Sequence, residues 1–230
     1  MKVGKSLQEL AVELDRQNKV KKDYLIDTRA LRMDVAEDGP MLSMSNRSTR
    51  ATTVLGINEI AHDQIGSTLS IPAKYYDRMR TEQPKLLADN VNTWLTANPQ
   101  KRMVRTLDGT ARAFLSDKYR RIDNYEIAEA VLPIIGQMQE ARVESCEVTD
   151  RRMYLKVVNP RLEMQVAPGD IVQAGVMITN SEVGMGAVNV QPLVYRLVCT
   201  NGMVVNDAAS RQYHIGRGNE SGDGNVLFRN

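Results

Sequence analysis

Basic residues are concentrated in one stretch of the chain, residues 101–121, which reads KRMVRTLDGTARAFLSDKYRR. It carries seven Lys or Arg residues against two Asp, so its local charge of +5 exceeds the +2 of the whole chain. Cations at this density are typical of a surface that binds phosphates, and an aromatic ring among them offers a platform for a stacked base. The candidate nucleic-acid-binding residues here are Lys101, Arg102, Arg105, Arg112, Lys118, Tyr119, Arg120 and Arg121.

The same stretch is predicted to form a β-hairpin that turns at Asp108-Gly109. Asp-Gly suits the type I′ turn, which needs positive φ at both central residues. Pairing outward from a two-residue turn places Arg105 directly opposite Arg112. Two opposed arginines repel each other by about 0.2–1 kcal/mol, so a negative group is expected beside them. That group is either a nucleic-acid phosphate or a carboxylate from elsewhere in the fold, and the sequence leaves both alternatives open.

A second hairpin is predicted over residues 143–158, with its turn at Asp150-Arg151. Arg151 and Arg152 project from that turn and are expected to continue the basic track.

Catalytic chemistry has little support in the sequence. The chain has two histidines, and neither stands near a nucleophile or a carboxylate in a known motif. His62 is predicted to be a structural or surface residue, while His214 is predicted to extend a basic patch. Two isolated cysteines, Cys146 and Cys199, do not have the spacing of metal ligands. The protein is therefore expected not to be an enzyme and to need no metal or cofactor.

The glycines of the segment SEVGMG (181–186) do not form a phosphate loop, because the GxxxxGK[ST] pattern and a following helix are both missing. The segment is predicted to be a turn between strands. For Glu182 in that turn, a solvated carboxylate is favoured over a functional role.

Length and composition are those of a globular protein, with 230 residues, 42% hydrophobic and 25% charged. No apolar run approaches the roughly 18 residues of a membrane span, and the first residues lack the apolar core of a secretory signal. A cytoplasmic location without membrane contact is expected.

The predicted fold class is α+β, with an antiparallel sheet built from sequential hairpins, a packed helix and an N-terminal layer of short helices. The sheet is assembled from the hairpins at 102–116, 143–158 and 171–205. A helix over 124–139 is predicted to pack a stripe of Ile127, Val131, Ile134 and Met138 on it.

One domain is expected over residues 1–230. It comprises a mainly helical part (1–99), a hairpin and sheet core (100–215) and a flexible tail (216–230). The tail ends on the apolar triplet Val226-Leu227-Phe228. This suggests either that the chain is truncated or that the triplet docks on a neighbour.

Four runs resemble an uncharacterised family encoded by phages, plasmids and integrative elements. They are QIGSTLSIPAKYYDRM (64–79), PKLLADNVNTWL (84–95), ARAFLSDKYRRIDNYEIAEAVLPII (111–135) and SEVGMGAVNVQPLVYRLVCTNGMVV (181–205). The resemblance covers roughly residues 23–217 and implies work in DNA replication, recombination or counter-defence. The architecture is also similar to that of ring-forming single-strand annealing recombinases, an analogy of fold alone.

The expected function is single-stranded DNA binding and annealing by a homo-oligomer, in recombination or replication. Two alternatives stay open, namely an inhibitor that binds a host defence protein and a structural oligomeric scaffold. Salt-dependent retention on single strands favours the first function, and a stable complex with a host protein favours the inhibitor.

Overall fold

The computed structural model of the protein describes residues 6–45, 51–168, 170–196, 202–204 and 210–212. The chain divides into two compact units, a terminal unit of residues 1–19 and 120–230 and a middle unit of residues 20–119. The predicted α+β class with mainly antiparallel strands is confirmed. The prediction of one sheet is wrong, because the hairpin at 102–116 belongs to a different sheet from the strands that follow residue 142.

The described elements are, in chain order, α1 (Leu7–Val20), β1 (Lys22–Asp27), a 3₁₀ turn (Thr28–Ala30), β2 (Leu31–Ala36), β3 (Gly39–Ser45), β4 (Thr52–Ile57), α2 (Glu59–Thr68), α3 (Ala73–Glu82), α4 (Pro84–Ala97), β5 (Lys101–Leu107), β6 (Thr110–Ser116), α5 (Asn124–Gln137), β7 (Arg142–Val148), β8 (Met153–Ala167), β9 (Asp170–Asn180), β10 (Val188–Arg196), β11 (Gly202–Val204) and β12 (Ser210–Gln212).

The middle unit is a six-stranded sheet with the order β1-β5-β6-β4-β3-β2 and the helices α2, α3 and α4. Its core joins helix residues such as Leu87 and Val91 to Val104 and Phe114 of the sheet. Residues 1–99 were predicted to be mainly helical; within their described part, the helices α1 to α4 occupy 48 residues and four strands occupy 25. One short pair is parallel, β4 beside β6, and it reaches only from Gly56 to Ile57.

The terminal unit contains the second sheet, with the order β11-β10-β9-β8-β7 and with β12 also paired to β10. Helices α1 and α5 contribute to one core with this sheet, in which Leu10 and Ile127 join Leu155 and Ile178. Helix α5 begins where the sequence predicts, because Asp123 and Glu126 form a capping box.

The apolar stripe of α5 differs from its prediction at the C-terminal half of the helix. Ile127, Val131 and Ile135 are buried, whereas Ile134 and Met138 are 45% and 47% exposed. Taking about 100° per residue from Ile127, the buried Ala128, Val131 and Ile135 fall within about 100° of it on one side, whereas Ile134 falls at about −20°, at the edge of the buried face. Met138 follows Gln137, the last residue of α5.

Pro192 lies inside β10, and the register of β10 with β9 is regular around it. On one side it pairs with Val176 of β9. On the other side β12 pairs with 188–190 and β11 with 193–195. On that side, Pro192 therefore falls between the residues that pair with β12 and those that pair with β11.

Gly175, in the interior of β9, is predicted to be intolerant of a side chain. A Cβ at this position would overlap the carbonyl oxygen of Val157 in the neighbouring strand. Gly175→Ala should therefore lower the free energy of unfolding by about 1–3 kcal/mol, as measured by urea denaturation.

Gly136→Ala is the matched control, because a Cβ at this exposed helical position meets no atom within 4 Å. It should leave stability unchanged or raise it by up to about 1 kcal/mol. Equal effects of the two substitutions would contradict the packing at Gly175.

Candidate nucleic-acid interface

The hairpin that carries most of the predicted cations forms as expected. Asp108 and Gly109 have φ of 50° and 75°, as a type I′ turn requires. Beyond the turn the register differs from the prediction, because a β-bulge follows the first pairs. Arg105 pairs with Ala113, and Thr106 pairs with Ala111, so that Arg112 is the extra residue. The prediction that Arg105 lies opposite Arg112 is therefore wrong.

Arg105 is buried and bound to a carboxylate of the neighbouring strand. Its Nε and Nη2 donate to the two carboxylate oxygens of Asp23, at 2.8 and 3.2 Å. The side chains of Arg105 and Asp23 are 0% and 8% exposed. Of the two alternatives left open by the sequence, the internal carboxylate is the one found, and a phosphate contact by Arg105 is excluded in this fold.

Two more arginines of the hairpin are partly or wholly withdrawn from solvent. Arg112 is 9% exposed. Arg102 is half-buried, lies 5.9 Å from the centroid of the Phe114 ring, and donates to Gln100 at 2.6 Å. Burial lowers the pKa of Arg102, and the charge of Asp117 acts in the opposite direction. The hairpin therefore uses its arginines largely for its own packing.

The ten predicted residues are divided between the two units. Lys101 and Lys118 are exposed and Tyr119 is half-buried, and all three belong to the middle unit with Arg102, Arg105 and Arg112. The other four belong to the terminal unit. We call these four the arginine end, which consists of Arg120, Arg121, Arg151 and Arg152.

A buried amide connects the two halves of the arginine end. Asn180, at the end of β9, is 1% exposed. Its Nδ2 donates to the carbonyl of Ile122 at 3.0 Å and to Oδ1 of Asn124 at 2.8 Å. Arg121 directly precedes Ile122, so this amide fixes the backbone next to that arginine.

The next residue, Ser181, fixes the backbone at Arg151, in the other half of the arginine end, through a side-chain hydrogen bond. Its hydroxyl donates to the carbonyl of Arg151 at 2.7 Å and accepts from the backbone N–H of Met185 at 3.0 Å. The Arg152 guanidinium donates to the carbonyl of Met185 and lies against Gly186. Two successive residues thus hold Arg121 and Arg151, which are 30 positions apart in sequence, at one end of the sheet.

Glu182 is the third residue of this buried polar segment, although it was predicted to be solvated. It is 6% exposed, and its Oε1 accepts the backbone N–H of Asn124 at 2.6 Å. A carboxylate here faces the first turn of α5, where the helix dipole favours negative charge. The prediction of a solvated turn carboxylate is therefore wrong. The contact joins positions 58 apart in sequence, and neither segment carries a local pattern that points to the other.

The arginine end is itself accessible. Arg121, Arg151 and Arg152 are exposed and Arg120 is half-exposed. The result is a surface with four cations set on a buried hydrogen-bonded support, which is an arrangement suited to anions.

Comparison with known proteins adds one match. Residues 112–219 match a family described as a domain of unknown function (DUF932). The matched range contains the arginine end and the buried segment Asn180-Ser181-Glu182. The chain matches no curated protein and no solved structure.

Among the described residues no group of three or more His, Cys, Asp or Glu is placed to hold a metal ion. Within the same part of the chain, no helix is both long enough and apolar enough to cross a membrane. His214, Cys199 and the tail at 216–230 lie outside the described residues.

His62 is a buried residue of the middle unit. Of the two predicted roles, structural or surface residue, the structural one is therefore found. It is 5% exposed, and its Nδ1 lies 2.8 Å from the hydroxyl oxygen of Tyr76. Burial lowers the pKa of His62 to about 4, and the charge of Arg80 acts in the same direction. Burial also raises the pKa of Tyr76. Both groups are therefore neutral at pH 7.

The ion pair of Arg105 predicts a large loss of stability on truncation. Arg105→Ala leaves the Asp23 carboxylate buried without this cation, and the free energy of unfolding should fall by about 3–5 kcal/mol. The control is Arg29→Ala, whose ion pair with Asp27 is half-exposed, so that its removal should cost at most about 1 kcal/mol. Chemical denaturation measures both, and an Arg105→Ala protein as stable as the wild type would contradict the buried pair.

His62 predicts a pH dependence of stability. The unfolded chain titrates this group near its ordinary pKa of 6.5 and the folded chain near 4, so between these values the unfolded state binds more protons. Stability from this group is fully present above pH 6.5 and is lost as pH falls toward 4, by at most about 3 kcal/mol.

The measurement is urea denaturation of the wild type, His62→Gln and His214→Gln between pH 7 and 4. The His62→Gln protein should show a weaker decline between pH 6.5 and 5 than the other two. Three parallel curves would rule out a depressed pKa at His62.

Proposed function

We propose that the protein binds single-stranded DNA through the arginine end of its terminal unit. The observation that carries this proposal is the buried segment Asn180-Ser181-Glu182, which holds the backbone beside Arg121 and that of Arg151 at one end of the sheet. Because the backbone that carries these cations is fixed in advance, less conformational freedom is lost when they bind phosphate.

Single strands suit this surface better than duplex DNA. Specific duplex readout places a helix or a β-ribbon in a groove, whereas the arginine end consists of two short backbone segments. A flexible single strand can bring successive phosphates to clustered arginines, and a guanidinium can also stack on an exposed base.

The resemblance to proteins of phages and plasmids supports a cytoplasmic role in recombination or replication, with annealing of complementary strands as the reaction served. We further propose that the protein acts as a homo-oligomer. Four arginines make few phosphate contacts, and linking several copies on one strand multiplies weak contacts into useful affinity.

The test is fluorescence anisotropy of a labelled oligothymidylate with the full chain, titrated at several salt concentrations. Arg121→Ala and Arg151→Ala should each weaken binding several-fold. Each should also make the slope of log affinity against log salt shallower by about 0.7, as loss of one phosphate contact predicts. The control is Arg16→Ala, an exposed arginine of α1 in the same unit, which should bind as the wild type does.

Absence of binding by the wild type at low salt would overturn the proposal, as would equal affinity of all four proteins. A stable complex with a host protein, together with no retention of DNA, would support the inhibitor alternative instead. Thermal melts of each variant separate loss of contact from loss of fold.

A further inference from the structure

The terminal unit contains an apolar groove that the proposed function does not use. It has a volume of about 240 Å³ and lies between the C-terminal half of α5 and the strands β8, β9 and β10. Its helix wall includes Ile134 and Met138, and its floor includes Val176 and Val190. Asn159 is the one residue with a polar side chain among those that line it.

An irregularity in β8 builds the remaining wall. The register of β8 with β9 passes from Asn159 opposite Ala174 to Glu163 opposite Gln173, so three residues of β8 lie outside the ladder. One of them, Leu162, lines the groove. Another, Arg161, forms an ion pair with Glu140 at 2.8 Å and so holds this wall to the turn after α5.

The walls are apolar and yet remain accessible to solvent. Ile134 and Met138 are 45% and 47% exposed, and Leu162 is 60% exposed. Scattered apolar side chains on a surface need no explanation, but several that line one concave site are typical of a binding surface. No part of the described chain fills this groove.

We propose that the groove binds the chain's own apolar triplet, Val226-Leu227-Phe228. β12 pairs with β10 at Val188–Val190, so the chain reaches Gln212 beside the strand whose Val190 belongs to the groove floor. Thirteen residues separate Gln212 from Val226 and can span up to about 43 Å. The floor extends over three adjacent strands, a distance of about 10 Å, so the triplet is well within reach.

The sequence after Gln212 favours this occupant over others. Residues 216–225, GRGNESGDGN, contain no apolar side chain larger than glycine, and the triplet is the only run of three apolar residues beyond Gln212. Leu and Phe side chains match the aliphatic and thioether walls of the groove. A tethered segment also has a high effective concentration at its site, which a free partner lacks.

The first test opens the groove. In the full chain, Leu227→Asp combined with Phe228→Asp should expose the walls, and the affinity for a fluorescent apolar dye such as anilinonaphthalene sulfonate should rise at least fivefold. The charge-matched control is Asn219→Asp with Asn225→Asp, which adds two carboxylates to the same segment and should leave dye affinity unchanged. Equal dye binding by the wild type and both variants would overturn the proposal.

The second test locates the triplet directly. A cysteine pair, Met138→Cys with Leu227→Cys, should form a disulfide within one chain on mild oxidation, as mapped by peptide mass spectrometry. The pair Lys19→Cys with Leu227→Cys, which replaces an exposed residue of α1, should not. A disulfide between two chains would show that a second copy is the occupant, and this outcome would overturn the proposal, as would the absence of any bond between 138 and 227. Neither test uses DNA, so its outcome is independent of the proposed function.

Discussion

The side chain of Asn180 is buried at the end of β9, and its burial constrains the segments that it contacts. A buried amide must have its hydrogen bonds made, because a donor left unsatisfied costs about 1–3 kcal/mol. Asn180 meets this requirement with the carbonyl of Ile122 and the amide oxygen of Asn124. It thereby fixes the short segment from Ile122 to Asn124, the first residue of α5. The two residues that follow, Ser181 and Glu182, extend the same constraint to Arg151 and to the helix N-terminus.

In the middle unit, arginines serve packing and ion pairing inside the fold. Counting charges over residues 101–121 gives a local excess of cations, and that count says nothing about burial. Arg105 compensates Asp23 inside the fold, and Arg102 lies against an aromatic ring. An arginine that is bound to a buried carboxylate contributes to structure and is withdrawn from solvent, whereas the arginines of the arginine end are exposed or half-exposed. The arginine end, and not the hairpin, is therefore the proposed binding surface.

The features that sequence predicted correctly are those specified by neighbouring residues. The turn at Asp108-Gly109 and the capping box of Asp123 with Glu126 each depend on residues at most three positions apart. Helical periodicity located α5, and alternation located the second hairpin. The failures involve distant partners. The bulge at Arg112, the division into two sheets and the burial of Glu182 depend on residues that approach only in the folded chain. Of the ten predicted site residues, the four of the arginine end could be named from sequence, but their common support could not.

In the proposed function, Ser181 positions Arg151 for DNA binding without contacting the DNA itself. A double-mutant cycle on oligothymidylate affinity with Ser181→Ala, Arg151→Ala and the combined variant measures this most directly. The account predicts that Ser181→Ala weakens binding several-fold in the wild-type background and has little further effect once Arg151 is alanine. Wild-type affinity in the Ser181→Ala protein, or fully additive effects of the two substitutions, would contradict it.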